Sequence, residues 1–316
     1  MRKNVNSEHI EGRLFEHDLA LKVTGATSKN PNTEYINGKV KIAVDEECMN
    51  VITVNFTYVT ATTKTGAANK NYATLKKIIE SGKTVLEVGK DEATKVKVDT
   101  ALSLNDFYTD EGLVSAKEHR DGFIEIVNEL CNESARNTFK VDMLITNITH
   151  TDVDLERDIE SPFVTVRGAI FNFRNDLLPV DFRVENPEGI KYFMGMEVSG
   201  AEPIYTQVWG KINSLTIKKS IKEESAFGGE TAVRIVERNI KNWVITGAKP
   251  TPYEFGEENV LTTNEVVAAV QARETMLATK KAEREAYLAQ KASNLAQNAF
   301  AAAATSSPIA AGGFKF

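Results

Sequence analysis

Cysteine and histidine are scarce in this sequence. Its 316 residues include two cysteines, Cys48 and Cys131, and four histidines. None of them falls in the close Cys or His pairs that mark structural zinc sites, so we expect no metal site. Two unpaired thiols are typical of a protein from a reducing compartment, which predicts a cytoplasmic location.

Long apolar runs and a strong charge of one sign are also missing. No stretch approaches the ~20 apolar residues of a transmembrane helix, and the polar start, MRKNVNSEHIEG, does not resemble a secretory signal. We therefore expect no association with membranes. The formal net charge of −6 argues against a general coat for nucleic acid, but it leaves room for a local basic groove.

No catalytic signature is visible. The chain contains neither the phosphate-binding motif GxxxxGK[ST] nor a Rossmann glycine pattern. His9, His17, His119 and His150 are scattered, and the acidic segment 152–160 lacks the regular oxygen-ligand spacing of a calcium loop. We expect a protein without enzymatic activity and without a cofactor.

Short strands dominate what the sequence does contain. In VITVNFTYV, the residues Ile52, Val54, Phe56 and Tyr58 fall on one face, which is the period of a half-buried strand. Each half of the chain contains about five such segments, and IKYFMGMEV (190–198) is among those of the second half.

A helix interrupts the strands of the first half. Tyr72, Leu75 and Ile78 recur at helical spacing between the third and fourth strands. That order predicts a mainly β protein built of two tandem barrels of the oligonucleotide-binding (OB) type. One large β-sandwich made of the same strands is the alternative.

The domain organisation follows from this order and from a shift in composition near Leu261, where strong helix formers begin. A faint internal repeat relates 38–56 to 168–182, each running glycine, strand, polar turn, strand and phenylalanine. The predicted divisions are a flexible arm (1–14), a first OB-like barrel (15–130), a second OB-like barrel (131–256), and a C-terminal helix starting at Thr263 with a disordered tail (257–316).

The segment from Ser161 to Trp209 combines aromatic, β-branched and basic residues at strand spacing, with Phe171 and Phe173 predicted to share one face. Rings and guanidiniums on one face of a sheet suit the bases and phosphates of a single strand of nucleic acid. An ordinary core with a solvated edge is the alternative. The candidates for base stacking are Tyr58, Phe173, Tyr205 and Trp209. The candidates for phosphate contacts are Lys64, Lys70, Arg167, Arg174, Arg183, Lys211, Arg234 and Arg238.

Two segments resemble the strand–turn–strand core of OB barrels. The first is GKVKIAVDEECMNVITVNF, and the second is VRGAIFNFRNDLLPVDFRV together with YTQVWGKI. Over about residues 15–250, the pattern is similar to that of single-stranded DNA-binding proteins from bacteriophage replication and recombination modules. The resemblance implies sequence-tolerant binding of single-stranded DNA, without catalysis, in the cytoplasm of the host cell.

The C-terminus departs from the wider family, whose bacterial members end in an acidic tail tipped with an aromatic residue. Here the tail ends in Phe314-Lys315-Phe316 and is not acidic. It is a candidate for recruiting replication or recombination proteins, and the alanine-rich helix before it is a candidate for self-association. Two other functions remain open: a β-rich structural or assembly protein of a virion, and an inhibitor or adaptor that binds a host protein.

Overall fold

The computed structural model describes residues 4–157, 159–223, 232–257 and 260–305, without the side chains of 216–239 and 295–305. The strands are β1 (Asn6–His17), β2 (Ala20–Val23), β3 (Glu34–Ala43), β4 (Val51–Thr60), β5 (Lys95–Thr109), β6 (Gly112–Ile126), β7 (Asn137–Thr151), β8 (Phe163–Phe171), β9 (Leu177–Val184), β10 (Ile204–Glu223) and β11 (Ala232–Ala248). The α-helices are α1 (Lys70–Ser81), α2 (Val85–Val88), α3 (Pro187–Met194) and α4 (Thr263–Thr305).

Five strands of the first half close into a barrel. Their order is β1-β3-β4-β6-β5, and β1 pairs with both β3 and β5, which completes the ring. Strands β4 and β6 run parallel. Helix α1 lies between β4 and β5 in the chain. This is the five-stranded Greek-key arrangement of an OB barrel.

The second half repeats the arrangement strand for strand. The order is β7-β8-β9-β11-β10, and β7 pairs with both β8 and β10. Strands β9 and β11 run parallel, and α3 lies between β9 and β10. The prediction of a mainly β protein with two tandem OB-like barrels and a C-terminal helix is therefore confirmed. The repeat noted in the sequence corresponds to the hairpins β3–β4 and β8–β9, the second and third strands of each barrel.

The two barrels share a continuous sheet because β1 also pairs with β7. A cluster of rings reinforces the junction: His119 of β6 stacks on Trp243 at a centroid distance of 5.4 Å, and Trp243 packs on Phe139 and Phe182. The predicted flexible arm over 1–14 is wrong from Asn6 onward. From Asn6 that segment forms β1, which pairs with strands of both barrels, and some of its polar side chains have partners within the protein. Glu8, for example, contacts the His119 ring nitrogen at 2.7 Å.

Local signals account for the helices. In α1, Asn69 caps the first turn, and Tyr72, Leu75 and Ile78 are buried as their spacing predicted. The predicted strand at 190–198 is wrong, because most of it belongs to α3. The Asn186 side chain accepts a hydrogen bond from the Gly189 amide at 2.6 Å, and a proline follows at the first helical position.

Helix α4 begins at Thr263, as predicted. Thr262 and Glu265 form a reciprocal capping box, in which the Thr262 amide donates to the Glu265 carboxylate at 2.8 Å and the Glu265 amide donates to the Thr262 hydroxyl at 3.3 Å. The predicted disordered tail after residue 305 lies outside the described residues. No helix in the described part of the chain is both long enough and apolar enough to span a membrane.

The chain divides into two compact units. Both barrels belong to the first, and the second consists of the β5–β6 hairpin tip (residues 105–116) with α4 from Val270 onward. Within the second unit, the Arg273 guanidinium donates two hydrogen bonds to the Asp106 carboxylate, at 2.9 and 3.1 Å, and both side chains are buried. Burial raises the pKa of Asp106, but the hydrogen bonds from Arg273 and Ser115 outweigh it and hold that pKa below its usual value.

Gly168 illustrates how tightly the barrel strands approach one another. A Cβ added there would lie 1.9 Å from the carbonyl oxygen of Leu144 on β7. We expect Gly168→Ala to lower the free energy of unfolding by about 1–3 kcal/mol, because the strands must separate to admit the methyl group. Gly25→Ala is the matched control, since its Cβ would meet no atom within 4 Å. Urea denaturation measures both variants, and equal stabilities would contradict the expectation.

Candidate nucleic-acid interface

The outer face of the second and third strands carries a pair of rings in the first barrel, one exposed and one half-buried. Tyr35 lies near the start of β3, and its partner in the register is Thr60 of β4. Tyr58, two residues before that partner, places its ring 4.7 Å from the ring of Tyr35 and is 43% exposed. These two residues are called the tyrosine pair. Lys39 and Lys41 follow Tyr35 along the same outer face.

The second barrel has a planar pair at the equivalent position. Phe163 begins β8, and because Val164 pairs with Val184, Phe163 lies opposite Glu185. Arg183, two residues before that position, places its guanidinium 3.6 Å from the centre of the Phe163 ring. These residues are called the Phe–Arg pair. The two barrels therefore present a ring at the start of the second strand, covered by a flat group from the third.

The turn between β8 and β9 displays a second ring in this barrel. Phe173 is 86% exposed, and the Arg174 guanidinium lies 5.1 Å from its ring centre. The side chain of Asn172 shapes the turn by accepting hydrogen bonds from the amides of Arg174 and Asp176, at 2.8 and 2.9 Å. The prediction that Phe171 and Phe173 share a strand face is wrong, because β8 ends at Phe171, which is buried in the core.

Arg167 lies on the outer face of β8, opposite Asp181 of β9. Lys117 of β6 reaches the same carboxylate, with its Nζ 2.5 Å from Asp181 Oδ1. Burial raises the pKa of Asp181, but the hydrogen bond from Lys117 more than compensates, so that pKa lies below its usual value. Two cations thus surround one carboxylate, which leaves this part of the β8–β9 face net positive.

Lys64 and Lys70 are both exposed at the end of β4. Lys64 lies in the loop that follows Thr60, the strand partner of Tyr35, and Lys70 begins α1. That loop is held in place by hydrogen bonds from Asn69 to the carbonyls of Thr60 and Ala61. Both lysines are therefore anchored close in the chain to the end of β4, the strand that holds Tyr58.

Tyr205 does not fit its predicted role of base stacking. It is only 2% exposed and packs in a small core with Tyr253, while its hydroxyl donates to the Asn4 side chain at 3.0 Å. The reason is that the segment leading to α4 crosses over β10 here, with the Tyr253 amide bonded to the Tyr205 carbonyl. A base cannot reach this ring.

Trp209 and Lys211 are on β10, which pairs with β7 and β11 and not with the β8–β9 hairpin. Trp209 is partly exposed and its indole packs against Gly247, where an added Cβ would lie 2.4 Å from Nε1, so its predicted role in base stacking stays a prediction. The Lys211 ammonium donates to the carbonyl of Ser134 and to the Asn137 side chain, and burial lowers its pKa. These bonds hold the Lys211 ammonium against the protein, and its predicted phosphate contact stays a prediction.

Arg234 and Arg238 occupy paired positions on β11, opposite Ile221 and Ile217. Their side chains lie outside the described residues, so their predicted role stays a prediction.

Sequence reasoning missed Phe163 as a binding residue, and it counted Tyr35 only among the wider set of aromatic candidates in the first half. The repeat that it detected begins at Gly38 and Gly168, a few residues after these rings. Extending both copies towards the N-terminus would have brought an aromatic residue to the start of each second strand. Nothing in the sequence predicts that a side chain from the third strand covers each ring, because the register between strands sets that contact.

Three solved structures are similar to the chain at low identity. The wild-type single-stranded DNA-binding protein from Thermus aquaticus is 10% identical, with a TM-score of 0.46 over 81% of this chain and 97% of that one. A deletion mutant of the same protein is 9% identical, with a TM-score of 0.45 over 81% of this chain and 98% of that one. A replication protein A heterotrimer bound to ssDNA gives 10% identity and a TM-score of 0.22 over 85% of this chain and 70% of that one.

No curated protein matches the chain. One family model, described as YorF, matches residues 4–283. The match covers both barrels and the first half of α4. The protein therefore belongs to the YorF family.

Proposed function

We propose that this protein binds single-stranded DNA without sequence preference, along the outer faces of the β3–β4 and β8–β9 hairpins. The observation that carries the proposal is the repeated planar pair. The tyrosine pair and the Phe–Arg pair occupy register-equivalent positions of two OB barrels, on the strands that this fold uses for oligonucleotides. Every base has a flat face, so stacking on such groups tolerates any sequence.

The cations beside these rings are suited to the phosphates. Arg174 lies against the exposed Phe173, Arg167 lies on the face of the Phe–Arg pair, and the exposed Lys64 and Lys70 follow the end of β4, the strand that holds Tyr58. The formal net charge of −6 opposes attraction at long range, so binding depends on these local contacts. Salt should screen and compete with them directly.

A titration of fluorescent oligo(dT) at two salt concentrations tests the proposal. Each cation that contacts a phosphate contributes about −0.7 to the slope of log affinity against log salt concentration. With four such contacts, the affinity should fall about 50-fold between 50 and 200 mM salt. A duplex of equal length serves as the competitor and should displace the oligonucleotide poorly. Failure to bind oligo(dT) at low salt, or an affinity that salt does not change, would refute the proposal and favour a virion or adaptor function.

The wider role that we propose is non-enzymatic protection of single strands during bacteriophage DNA replication or recombination in the host cytoplasm. The resemblance of the strand–turn–strand segments supports this role. Nuclease digestion of a long single-stranded circle tests both the protection of the strand and the absence of cleavage by the protein itself. The protein should protect the circle when added in excess, and on its own it should leave the circle uncut. Cleavage by the protein alone would contradict a non-enzymatic role.

A further inference from the structure

We propose that His9, Glu11 and Cys131 form a binding site for one zinc ion, which fastens the connector between the two barrels to β1. His9 and Glu11 are two residues apart on β1, on the face opposite the buried Ile10. Cys131 lies in the connector that runs from the end of β6 at Ile126 to the start of β7. This site is independent of the DNA-binding faces.

The geometry is close to what a tetrahedral ion requires. One nitrogen of His9, one oxygen of Glu11 and the sulfur of Cys131 all lie within 4.8 Å of one another. His9 Nε2 and Glu11 Oε2 are 3.2 Å apart. Zinc bonds of 2.0–2.3 Å place tetrahedral ligands roughly 3.3–3.8 Å apart, so the widest pair needs to close by about 1 Å.

The surroundings orient these groups as metal ligands. The second ring nitrogen of His9, Nδ1, lies 2.7 Å from Asp99 Oδ1, and Asp99 is the strand partner of His9 on β5. A carboxylate behind a histidine fixes its tautomer and directs its other nitrogen at the metal. The Cys131 amide donates to Glu11 Oε1 at 2.6 Å, which leaves Oε2 to face the histidine. The Glu11 side chain is nearly buried.

The ligand set selects the ion. A thiolate, an imidazole and one carboxylate oxygen suit Zn²⁺, whereas Mg²⁺ and Ca²⁺ require oxygen ligands throughout. On binding, the Cys131 thiol transfers its proton to the buffer and the sulfur bonds to the metal as a thiolate. Three protein ligands leave the fourth coordination position for water. The spacing of 120 residues between Glu11 and Cys131 hides this set from any search for sequence motifs.

Cobalt is the spectroscopic probe for this site. The protein is freed of metal with a chelator and titrated with Co²⁺ alone. We expect one equivalent to produce a sulfur-to-cobalt charge-transfer absorption that Zn²⁺ then abolishes by displacement. Cys131→Ser should remove the absorption, and Cys48→Ser, the matched control, should keep it. No charge-transfer absorption, or one that Cys131→Ser retains, would overturn the proposal.

Two further measurements do not depend on the Cys131 variant folding. Asp99 is more than half exposed, so Asp99→Asn should fold normally and bind Co²⁺ about 10- to 100-fold more weakly. In the unaltered protein, Zn²⁺ should slow alkylation of Cys131 at least tenfold and leave Cys48 unchanged, as peptide mass spectrometry can resolve. Equal alkylation of Cys131 with and without Zn²⁺ would also overturn the proposal.

Discussion

Replacing both Tyr58 and Phe163 with alanine should lower the affinity for oligo(dT) by about 30-fold to 2 × 10⁴-fold. Each ring that stacks on a base contributes about 1–3 kcal/mol, which is about 5- to 150-fold for a single variant. The two residues lie in different barrels, so their effects should add. Fluorescence anisotropy at fixed salt measures the three variants against the unaltered protein.

The control for this experiment is Tyr287→Ala. Tyr287 is 62% exposed on α4, so the substitution removes an equally accessible ring far along the chain from the two hairpins. Its affinity should match that of the unaltered protein. A double variant of Tyr58 and Phe163 that binds as well as the Tyr287 variant would contradict stacking at the planar pairs. If only one of the two single variants lost much affinity, binding would be restricted to the barrel that holds the substituted residue.

Arg183→Lys separates stacking from charge at the Phe–Arg pair within the same titration. Lysine keeps the positive charge but lacks the planar guanidinium that covers the Phe163 ring at 3.6 Å. The slope of affinity against salt should therefore stay the same while the affinity itself falls. An unchanged affinity would mean that only the charge of Arg183 matters.

Arg273→Ala should destabilise the packing of α4 against the 105–116 hairpin tip by about 3–5 kcal/mol. The substitution leaves the Asp106 carboxylate buried without its main partner, and an unpaired buried charge is costly. Hydrogen exchange of the amides in 105–116 and α4, read by mass spectrometry, measures the loss of protection. The matched control is Arg284→Ala on the same helix, which loses a hydrogen bond to the Tyr108 carbonyl and an ion pair with the almost fully exposed Asp110. A smaller loss of about 1 kcal/mol is expected, because no buried charge is left unpaired.

Two additional measurements test the Asp106–Arg273 pair. Because the folded pKa of Asp106 is lowered, the stabilisation is complete above the unfolded value of about 3.9 and disappears as pH falls through the folded pKa. Protection of α4 should therefore persist at neutral pH and fail in strong acid. Removing both side chains with Asp106→Ala and Arg273→Ala should cost less than Arg273→Ala alone. An Arg273→Ala variant with unchanged exchange would refute the predicted role of the pair.

The alternation of apolar and polar residues predicted most of the strands of the fold. Alternation of the kind seen from Ile52 to Phe56 is a local property of the chain, and it survives folding because one face of each strand enters the core. The prediction that Tyr58 shares that buried face is wrong, because the register with β3 shifts after Phe56 and Tyr58 is exposed. The spacing of Tyr72, Leu75 and Ile78 likewise determined α1, since a helix places these residues on one side. The strand predicted at 190–198 failed because the capping signal of Asn186 and the following proline lies just upstream of the apolar run.

Burial of individual side chains could not be predicted in the same way. Tyr205 and Lys211 looked like binding residues because both are polar at one end and lie on a strand. Tyr205 is covered by the distant segment around Tyr253, and Lys211 is bonded to Ser134 and Asn137 of the connector and of β7. Such partners are more than forty residues away, and no local pattern indicates them.

The sequence by itself determined the two barrels, helices α1 and α4 and the class of residue available for binding, because period and capping depend on near neighbours in the chain. Tertiary structure alone decided which residues meet. The register of β3 with β4 and of β8 with β9 makes the planar pairs, and barrel closure brings Cys131 to His9 and Glu11. Pairing between distant segments depends on long-range packing and strand register, which one stretch of sequence does not encode.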